Sequence, residues 1–316
     1  MVAERRAIYN QMTYLGIDIG GTKIKTILLN EEGEILEQNE VLTEDGSGDA
    51  ELWKKKIISI ITEKSKQYGK SNPEALQFGI SAPGLVDMEN KMTLHMPERL
   101  QGIENFNWSS ALQRTISVIN DGHAACLAEY ESFYRAEGIQ HFLMLTLGTG
   151  VGGGLIINGQ LYQGNLQRAG HVGHMSIDYN GVRTMTNMPG SLEHAVGNFS
   201  VSERTDGHFN SVRELVDAYE KGELKARNWW LASVQKLAVG LASLTNIISP
   251  EVIVLGGGIS AGADNSLIEP LRKYMTDYEW RPGGYQTKIT TAKLGGYAGA
   301  IGAAFFAKQR ITKTYK

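Results

Sequence analysis

The sequence predicts an α/β protein built from two related domains, and three observations support this. The chain has 316 residues, whereas one domain usually takes about 100 to 200. Residues 14–36 and 142–162 repeat one plan of strand, glycine turn, strand, turn and strand, which is typical of hairpins. Each copy leads into sequence with the apolar spacing of a helix, at residues 49–68 and 122–137. A duplicated α/β domain explains all three.

The composition excludes several classes of protein. Apolar residues make up 42% and charged residues 21% of the chain, which is ordinary for a globular protein. The net charge of −3 gives no basic surface for a nucleic acid. Cys126 is the one cysteine, which excludes an internal disulfide and a cysteine-rich zinc site. We find no apolar run of about 18 residues and no signal peptide, so we expect a cytoplasmic protein without membrane or nucleic-acid partners.

The domain boundary is predicted at the end of the first α/β repeat. No low-complexity linker separates the two halves, so we place the boundary near Asn120, with domains at residues 1–120 and 121–297. Residues 252–262 indicate a strand that runs into a glycine turn and a helix. The last helix, about residues 298–316, is a candidate to pack back on the first domain.

The first glycine turn is a candidate phosphate-binding site. It resembles a P-loop, but Thr22 and Lys23 stand in the reverse order and a strand follows instead of a helix, so that interpretation fails. A tight hairpin at Gly20 and Gly21 can still point backbone N–H groups at phosphate oxygens, and Thr22 adds a hydroxyl. Asp18, at the strand end, could hold the waters of a Mg²⁺ ion. The alternative is a plain hairpin turn that needs positive φ.

Two further turns complete the candidate nucleotide site. Gly148, Thr149 and Gly150 begin a literal G-x-G-x-x-G, but a strand follows it, so a dinucleotide-binding motif is excluded. Gly257 and Gly258 follow a strand and precede a helix, where a phosphate could bind. Equivalent turns in two duplicated domains, with this third turn, suit a nucleoside triphosphate.

Seven motifs occur in order along nearly the whole chain. They read "GIDIGGTKIK", "GISAPGLVD", "VINDGHAACLAE", "LTLGTGVGGGLIINGQLYQG", "AGHVGHMSID", "PEVIVLGGGIS" and "GGYAGAIGAA". In this order and spacing the chain resembles the ROK sugar kinases (repressor, open reading frame, kinase) of the ribonuclease H-like ATPase superfamily, which includes actin and hexokinase. The resemblance implies two ribonuclease H-like domains with an interdomain cleft, ATP and Mg²⁺ as cofactors, a sugar substrate and a homodimer.

The resemblance also implies which residue takes part in phosphoryl transfer. Asn120 and Asp121 stand where a strand ends and a helix begins, and residues of these types commonly cap a helix. The family has its catalytic Asp in this motif. Phosphoryl transfer to an alcohol uses a base to accept the hydroxyl proton. The resemblance therefore assigns Asp121 as the base and Asn120 as a sugar ligand.

The sugar-binding residues implied by the resemblance depart in part from the family pattern. His174 and Glu193 match family residues, whereas His171 stands where the family has a sugar-binding Glu. His174 could instead be a buried imidazole, and Glu193 a solvated helix residue. A second alternative is a metal site formed by these three residues and His194, since imidazole and carboxylate suit Zn²⁺.

Other departures also lie in motifs that the family uses for the sugar and for zinc. The family's Ala-Asn-Ala reads Gly122-His123-Ala124, and its Pro-Asn-Leu reads Pro97-Glu98-Arg99. Three cysteines of the family's structural zinc site are replaced, so we expect a protein that folds without zinc. The replacements are Thr184, Thr186 and Ser191.

The preferred hypothesis is therefore an ATP-dependent sugar kinase that phosphorylates a hydroxyl of a hexose or hexose derivative. The first alternative is a sugar-sensing transcription regulator of the same family, but such regulators carry an N-terminal helix-turn-helix and only about 13 residues precede the first strand here. The second alternative is a sugar-binding protein that has lost catalysis.

Overall fold

The computed structural model describes residues 12–45, 51–69, 72–96, 99–184 and 186–314. Pro97 and Glu98, from the altered sugar-side motif, lie outside the described residues.

The described helices and strands alternate in two similar series. In the first half they are β1 (Thr13–Ile19), β2 (Lys23–Leu29), β3 (Ile35–Leu42), α1 (Leu52–Tyr68), β4 (Leu76–Ala82), β5 (Leu85–Val86), β6 (Thr93–His95), α2 (Trp108–Leu112), β7 (Ile116–Asn120) and α3 (Asp121–Glu129). In the second half they are β8 (Phe142–Leu147), β9 (Val151–Ile157), β10 (Gln160–Leu161), α4 (Leu192–Val196), α5 (Val201–Arg204), α6 (Val212–Glu220), α7 (Leu224–Ile248), β11 (Val252–Gly256), α8 (Gly257–Tyr278), β12 (Lys288–Thr291) and α9 (Ala298–Thr314).

Each half builds a five-stranded sheet with the same topology. The first sheet has the order β3-β2-β1-β4-β7 and the second the order β10-β9-β8-β11-β12. In both, the first three strands in sequence form an antiparallel meander. The fourth strand pairs in parallel with the first strand of the meander, and the fifth pairs in parallel with the fourth. Parallel strands need a long crossover, which helical segments supply. The equivalent strand orders confirm the predicted α/β fold with two related domains.

The chain divides into two compact units. The first comprises the residues up to Phe133, Gln163–Arg168 and the residues from Gly296 onward, and the second comprises Tyr134–Tyr162 and Ala169–Gly295. The first unit thus extends beyond the boundary predicted near residue 120, because it includes α3.

Helix α3 belongs to the first unit because it packs tightly on α9. At Gly302 of α9, an added Cβ would lie 1.8 Å from the backbone oxygen of Ala124 in α3. Only a residue without a side chain permits this approach of two helices. The contact therefore ties α3, which begins at Asp121, to the sheet that carries Asp18.

Helix α9 also packs closely against glycines of the first sheet. Gly16 of β1 and Gly79 of β4 are direct neighbours in the parallel register. A Cβ at Gly16 would lie 1.8 Å from the Ala300 oxygen, and one at Gly79 would lie 1.9 Å from the Ala303 oxygen. Because side chains alternate between the faces of a strand, Ile17 and its apolar neighbours lie on the opposite face, in a core shared with α1.

The second unit has its own core around α7. By length and composition α7 is the one helix among the described residues that could cross a membrane, with a mean hydropathy of 1.4. The sequence had suggested no apolar run of this length. Trp230, Leu237 and Leu241 of α7 are buried in the core of the second unit, against β8, α6 and α8. We therefore describe α7 as a core helix of this unit.

The local signals at α6 explain where this helix begins. The Ser211 hydroxyl accepts a hydrogen bond from the Glu214 N–H at 3.2 Å. The Glu214 carboxylate accepts one from the Asn210 N–H at 2.8 Å. These reciprocal bonds resemble a capping box, except that the returning bond is made one residue earlier than usual.

Candidate active site

The first glycine turn joins β1 to β2 and is held from one side by Thr43. The Thr43 N–H donates to the Thr22 oxygen at 2.9 Å, and its hydroxyl donates to the Gly20 oxygen at 2.5 Å. The Gly20 N–H closes the hairpin by donating to the Lys23 oxygen at 3.1 Å. Within the described part of the chain, the N–H groups of Gly21 and Thr22 donate to no protein atom. These two groups are therefore the ones available to a phosphate.

Lys23, predicted to bind ATP, is engaged elsewhere in the structure. Its ammonium forms an exposed ion pair with Glu40 on β3, and this pair raises the lysine pKa. Exposed ion pairs of this kind contribute little to stability.

Asp18 lies near the carboxyl end of β1, beside the turn. Its Oδ1 accepts a hydrogen bond from the Ser81 hydroxyl at 2.6 Å, across the β1–β4 register. Desolvation raises the pKa of Asp18 to about 6, with a smaller contribution in the same direction from the Asp121 carboxylate. The Ser81 bond and the charge of Lys25 act against this shift. Asp18 and Asp121 thus repel each other when both are ionised.

Asn120 and Asp121 form the junction between β7 and α3. The Asn120 side-chain oxygen accepts hydrogen bonds from the N–H groups of Gly122 and His123, at 2.9 and 3.2 Å. Its Nδ2 donates to the Gly84 oxygen at 2.9 Å. Asn120 is therefore the helix cap that its position suggested.

Asp121 is the first residue of α3. Its carboxylate accepts a hydrogen bond from the Gly122 N–H at 2.8 Å. Part of the Asp121 surface is exposed to solvent. The protein packed around its carboxyl disfavours the charged form, and this desolvation raises the pKa of the group. The bonds from Gly122 and Asn120 partly oppose that effect. Since β1, β4 and β7 are parallel neighbours, their carboxyl ends bring Asp18 and Asp121 to the same edge of the sheet.

In the second unit, the structure brings together three of the predicted sugar residues. His174 Nδ1 lies 3.2 Å from Glu193 Oε1, and the rings of His171 and His174 are parallel with centroids 6.2 Å apart. The hydrogen bond that His174 donates to the Glu193 carboxylate raises the pKa of His174, while burial opposes the shift. Glu193 also reaches the second glycine turn, since a Cβ at Gly150 would lie 2.9 Å from its Oε2.

His194 does not join this cluster. Its Nε2 lies 3.1 Å from Glu203 Oε2, although it is the neighbour of Glu193 in sequence. Residues adjacent in a helix point in different directions, which explains the separation. In the portions that the structure describes, no group of three or more His, Cys, Asp and Glu side chains has the arrangement of a metal site.

The residues that replace the family's zinc cysteines make hydrogen bonds. The hydroxyls of Thr184 and Thr186 lie 3.0 Å apart. Ser191 is fully buried and caps α4 by accepting a hydrogen bond from the His194 N–H. Met185, within the same stretch, lies outside the described residues. Ser191 thus fixes the start of the helix that carries Glu193.

The second and third glycine turns border a cavity of about 440 Å³ in the second unit. The turn at Gly148 and Thr149 is held by the segment after α4, since the Asn198 N–H donates to the Gly148 oxygen at 2.9 Å and the Phe199 N–H to the Thr149 oxygen at 3.0 Å. Gly257 has φ of +88°, which favours glycine, and Gly258 lies in the first turn of α8.

The walls of the cavity include residues that sequence reasoning missed. Helix α6 contributes both apolar and polar side chains, since Val212 and Val216 line the cavity beside Arg213 and Asp217. Asn198 lines it as well, and its side-chain oxygen accepts a hydrogen bond from the Val212 N–H at 2.8 Å. The bonds of Ser211 and Glu214 mark where this helix begins, but no sequence motif indicates which face of it meets the glycine turns.

The chain is similar to known proteins over nearly its whole length. A model of the ROK family matches residues 14–310. A glucokinase from Halalkalibacterium halodurans is 29% identical, over 94% of this chain and 95% of that protein. An N-acetylmannosamine kinase from Vibrio cholerae is 29% identical, over 94% of this chain and 100% of that protein.

Similarity extends to solved structures. A ROK family glucokinase from Streptomyces griseus, crystallised in complex with glucose and AMPPNP, is 25% identical with a TM-score of 0.70, and the match covers 95% of this chain and 99% of that one. The match of fold and sequence confirms the predicted resemblance. The chain belongs to the ROK family.

Proposed function

We propose that this protein is an ATP-dependent sugar kinase that transfers the γ-phosphate of ATP to a hydroxyl of a hexose or hexose derivative. The relatives that are sugar kinases support this class of activity. The observation that carries the proposal is the edge of the first sheet, where the Asp121 carboxylate and the glycine turn at Gly21 and Thr22 are held on the same unit.

Asp121 is the proposed general base. A sugar hydroxyl would attack the γ-phosphorus, the bond to the bridging β,γ-oxygen would break, and ADP would leave while Asp121 takes the hydroxyl proton. The raised pKa of Asp121 supports this role, because it increases the proton affinity of the carboxylate. Asn120, next to Asp121, is the proposed ligand of a neighbouring sugar hydroxyl.

The first glycine turn is proposed to hold phosphate oxygens. The N–H groups of Gly21 and Thr22 are available, and Thr22 is exposed, so its hydroxyl can add a bond. The Gly20 N–H is used within the hairpin, so Gly20 would contribute shape and not a donor. Lys23 would contribute less than these donors, since its ammonium already pairs with Glu40.

Asp18 is the proposed partner of a Mg²⁺ ion. The repulsion between Asp18 and Asp121 supports this fit, because a cation beside Asp18 would relieve it. Mg²⁺ with ATP neutralises negative charge on the phosphates when bound. The protein's own contribution is to hold the Asp18 carboxylate in place through Ser81.

The cavity of the second unit is proposed to take the nucleoside part of ATP. Its apolar walls suit a base, and Arg213, Asp217 and Asn198 offer polar groups to a ribose. Gly148, Thr149 and Gly150 would then contact phosphates on one side, while Gly257 and Gly258 at the start of α8 would do so on the other.

Glu193, His174 and His171 are proposed to bind the sugar. The oxygens of Glu193 can accept hydrogen bonds from ring hydroxyls, and the contact with Glu193 favours the protonated form of His174, which donates them. The homodimer and the cytoplasmic location that the sequence predicts are part of the same proposal.

The test is a panel of hexoses, N-acetylhexosamines and ketohexoses, each supplied with Mg-ATP in an assay coupled to ADP release. We expect phosphorylation of at least one sugar well above ATP hydrolysis without sugar. The matched control is Asp121→Asn, which keeps the cap geometry and removes the base. Its turnover should fall by about 100-fold or more, with sugar binding retained. A wild-type protein that releases ADP with no sugar of the panel contradicts the proposal.

A further inference from the structure

The side chain of Arg99 lies directly on the first glycine turn. A Cβ added to Gly21 would be only 1.3 Å from the Arg99 Nη2 and 2.4 Å from its Cζ. The guanidinium therefore occupies space that any other residue at position 21 would fill. Arg99 belongs to a segment that the family resemblance assigns to the sugar, but in the structure its side chain lies beside the turn where we propose that phosphate binds.

The turn and the Arg99 segment are anchored to the same stretch after β3. Thr43 holds the turn through its bonds to Gly20 and Thr22. Two residues later, the Asp45 carboxylate accepts a hydrogen bond from the Leu100 N–H, at 3.2 Å from each of its oxygens. Leu100 itself is buried in the core of the first unit. Arg99 is thus held beside the turn by the residue that follows it.

Among the described cations near this turn, Arg99 is the one that makes no hydrogen bond or ion pair with a described residue. Lys23 pairs with Glu40, and the Lys25 ammonium donates to the Gly296 oxygen at 2.6 Å. Arg99 is exposed, and no hydrogen bond or ion pair joins its guanidinium to any residue that the structure describes. An arginine beside a turn with two free backbone donors forms a positive site, and no carboxylate among the described residues pairs with it.

We propose that Arg99 binds the terminal phosphate of the ATP held at this turn. The proposal rests on the proposed kinase function and adds a residue that the family pattern does not include. A guanidinium offers a planar pair of N–H donors that matches two phosphate oxygens, and such charge-assisted bonds are stronger than neutral ones. The N–H groups of Gly21 and Thr22 would donate further hydrogen bonds to the same phosphate.

The test compares nucleotide affinities of Arg99→Ala and Arg99→Lys by calorimetry in the presence of Mg²⁺. The probes are AMPPNP, ADP and AMP. Loss of the charge-assisted bonds should weaken AMPPNP binding to Arg99→Ala by about 10-fold or more, with a smaller effect on ADP and none on AMP. Arg99→Lys should lie between wild type and Arg99→Ala, because a point charge retains the attraction without the paired bonds.

Arg114→Ala is the matched control, since Arg114 lies over the ring of Phe78 in the same unit. Its nucleotide affinities should equal those of the wild type. An Arg99→Ala variant that binds AMPPNP as well as the wild type, or that loses equal affinity for AMPPNP and ADP, overturns the proposal. A wild-type protein that binds none of the three nucleotides overturns the kinase function together with it, so the two failures are distinguishable.

A double variant tests whether the contact itself matters. Gly21→Ala puts a methyl group where the guanidinium now lies, so Arg99 must move away from the turn. Arg99→Ala should then cost little further AMPPNP affinity in the Gly21→Ala background, because coupled residues are not additive. Fully additive losses would place the effect of Arg99 elsewhere and contradict the proposal.

Discussion

Gly299, in the first turn of α9, lies against the carboxylate of Asp18. A Cβ at position 299 would be 2.4 Å from Asp18 Oδ1 and 2.8 Å from Oδ2. The N-terminus of a helix carries a partial positive charge, so its first turn is a favourable neighbour for an anion. This helix is the last of the chain, and it thus positions a carboxylate that lies near the beginning.

The first prediction follows from this contact. Gly299→Ala should lower kcat/KM for Mg-ATP by about 10- to 100-fold, because the added methyl displaces the Asp18 carboxylate and small misplacements in a site are costly. The melting temperature should change little, since a flexible side chain yields and alanine suits a helix. Asp18→Ala supplies the control background, in which Gly299→Ala should cause no further loss of activity. Equal losses in both backgrounds would contradict the assigned role of the contact.

The second prediction concerns stability and pH. Because the pKa of Asp18 rises from 3.8 to about 6 on folding, the native state binds more protons than the unfolded state between these values. The free energy of unfolding therefore falls as pH rises through this range, by at most about 3 kcal/mol for this group. Asp18→Asn lacks this penalty, and we expect it to melt above the wild type at pH 7.5 without nucleotide.

Thermal unfolding of both proteins between pH 3.5 and 7.5 measures this effect. The difference between them should be small near the low end, where Asp18 is protonated in the native state and mostly protonated in the unfolded chain. Asp18→Asn should also lose activity, because the carboxylate that lowers the stability of the folded protein is the proposed partner of Mg²⁺. A difference in melting temperature that stays constant across the whole pH range would mean that folding does not raise the pKa of Asp18.

The third prediction concerns the pair formed by His174 and Glu193. The contact with Glu193 raises the pKa of His174 above 6.5, so the pair stabilises the fold fully below about that pH and loses its effect as pH rises through the folded pKa. In Glu193→Gln the proton NMR titration of His174 should shift to lower pH. The stability difference from the wild type should be greatest on the acidic side of neutrality. An unchanged titration would mean that the two side chains do not interact in solution.

The fourth prediction concerns sugar preference. A carboxylate only accepts hydrogen bonds, whereas a neutral imidazole donates one and accepts one, so His171 and a Glu satisfy different ring hydroxyls. An unpaired buried partner costs about 1 to 3 kcal/mol, which is enough to change the preferred sugar. We expect His171→Glu to raise kcat/KM for glucose relative to the native substrate. A ratio equal to that of the wild type would mean that His171 does not contact the sugar.

The fifth prediction is that the protein folds without zinc. Hydroxyls of Thr184, Thr186 and Ser191 are poor substitutes for thiolates. Elemental analysis of protein purified without added metal should give well under one zinc per chain, and a chelator should leave the melting temperature unchanged. Stoichiometric zinc that leaves together with stability would instead assign His171 and His174 to a metal site.

The sequence was sufficient for the fold and family but only for part of the site. The repeated hairpins predicted both sheets because turn glycines and alternating strands are local signals, and the ROK assignment was confirmed. The side-chain bonds of Asn120 followed from its position at a strand-to-helix junction. Such features depend on residues close together in the chain.

Contacts between distant segments could not be predicted in this way. Arg99 on Gly21 and Gly299 on Asp18 both join residues far apart in sequence, and nothing local encodes either pairing. The direction of a side chain on a short helix was equally hidden, since His194 pairs with Glu203 and leaves the cluster that its neighbour Glu193 joins. The roles of these residues in binding stay predictions.

Helix α9 also has a consequence for the order in which the chain can fold during its synthesis. The ribosome makes the first sheet early, but the glycine-lined face at Gly16 and Gly79 is covered only when residues 298–314 emerge. Domains usually fold as units from the N-terminus. The first unit is completed only by residues that follow the whole second unit in sequence. A nascent chain that stops at residue 295 would carry every proposed site residue and still lack the helix on which Asp18 rests.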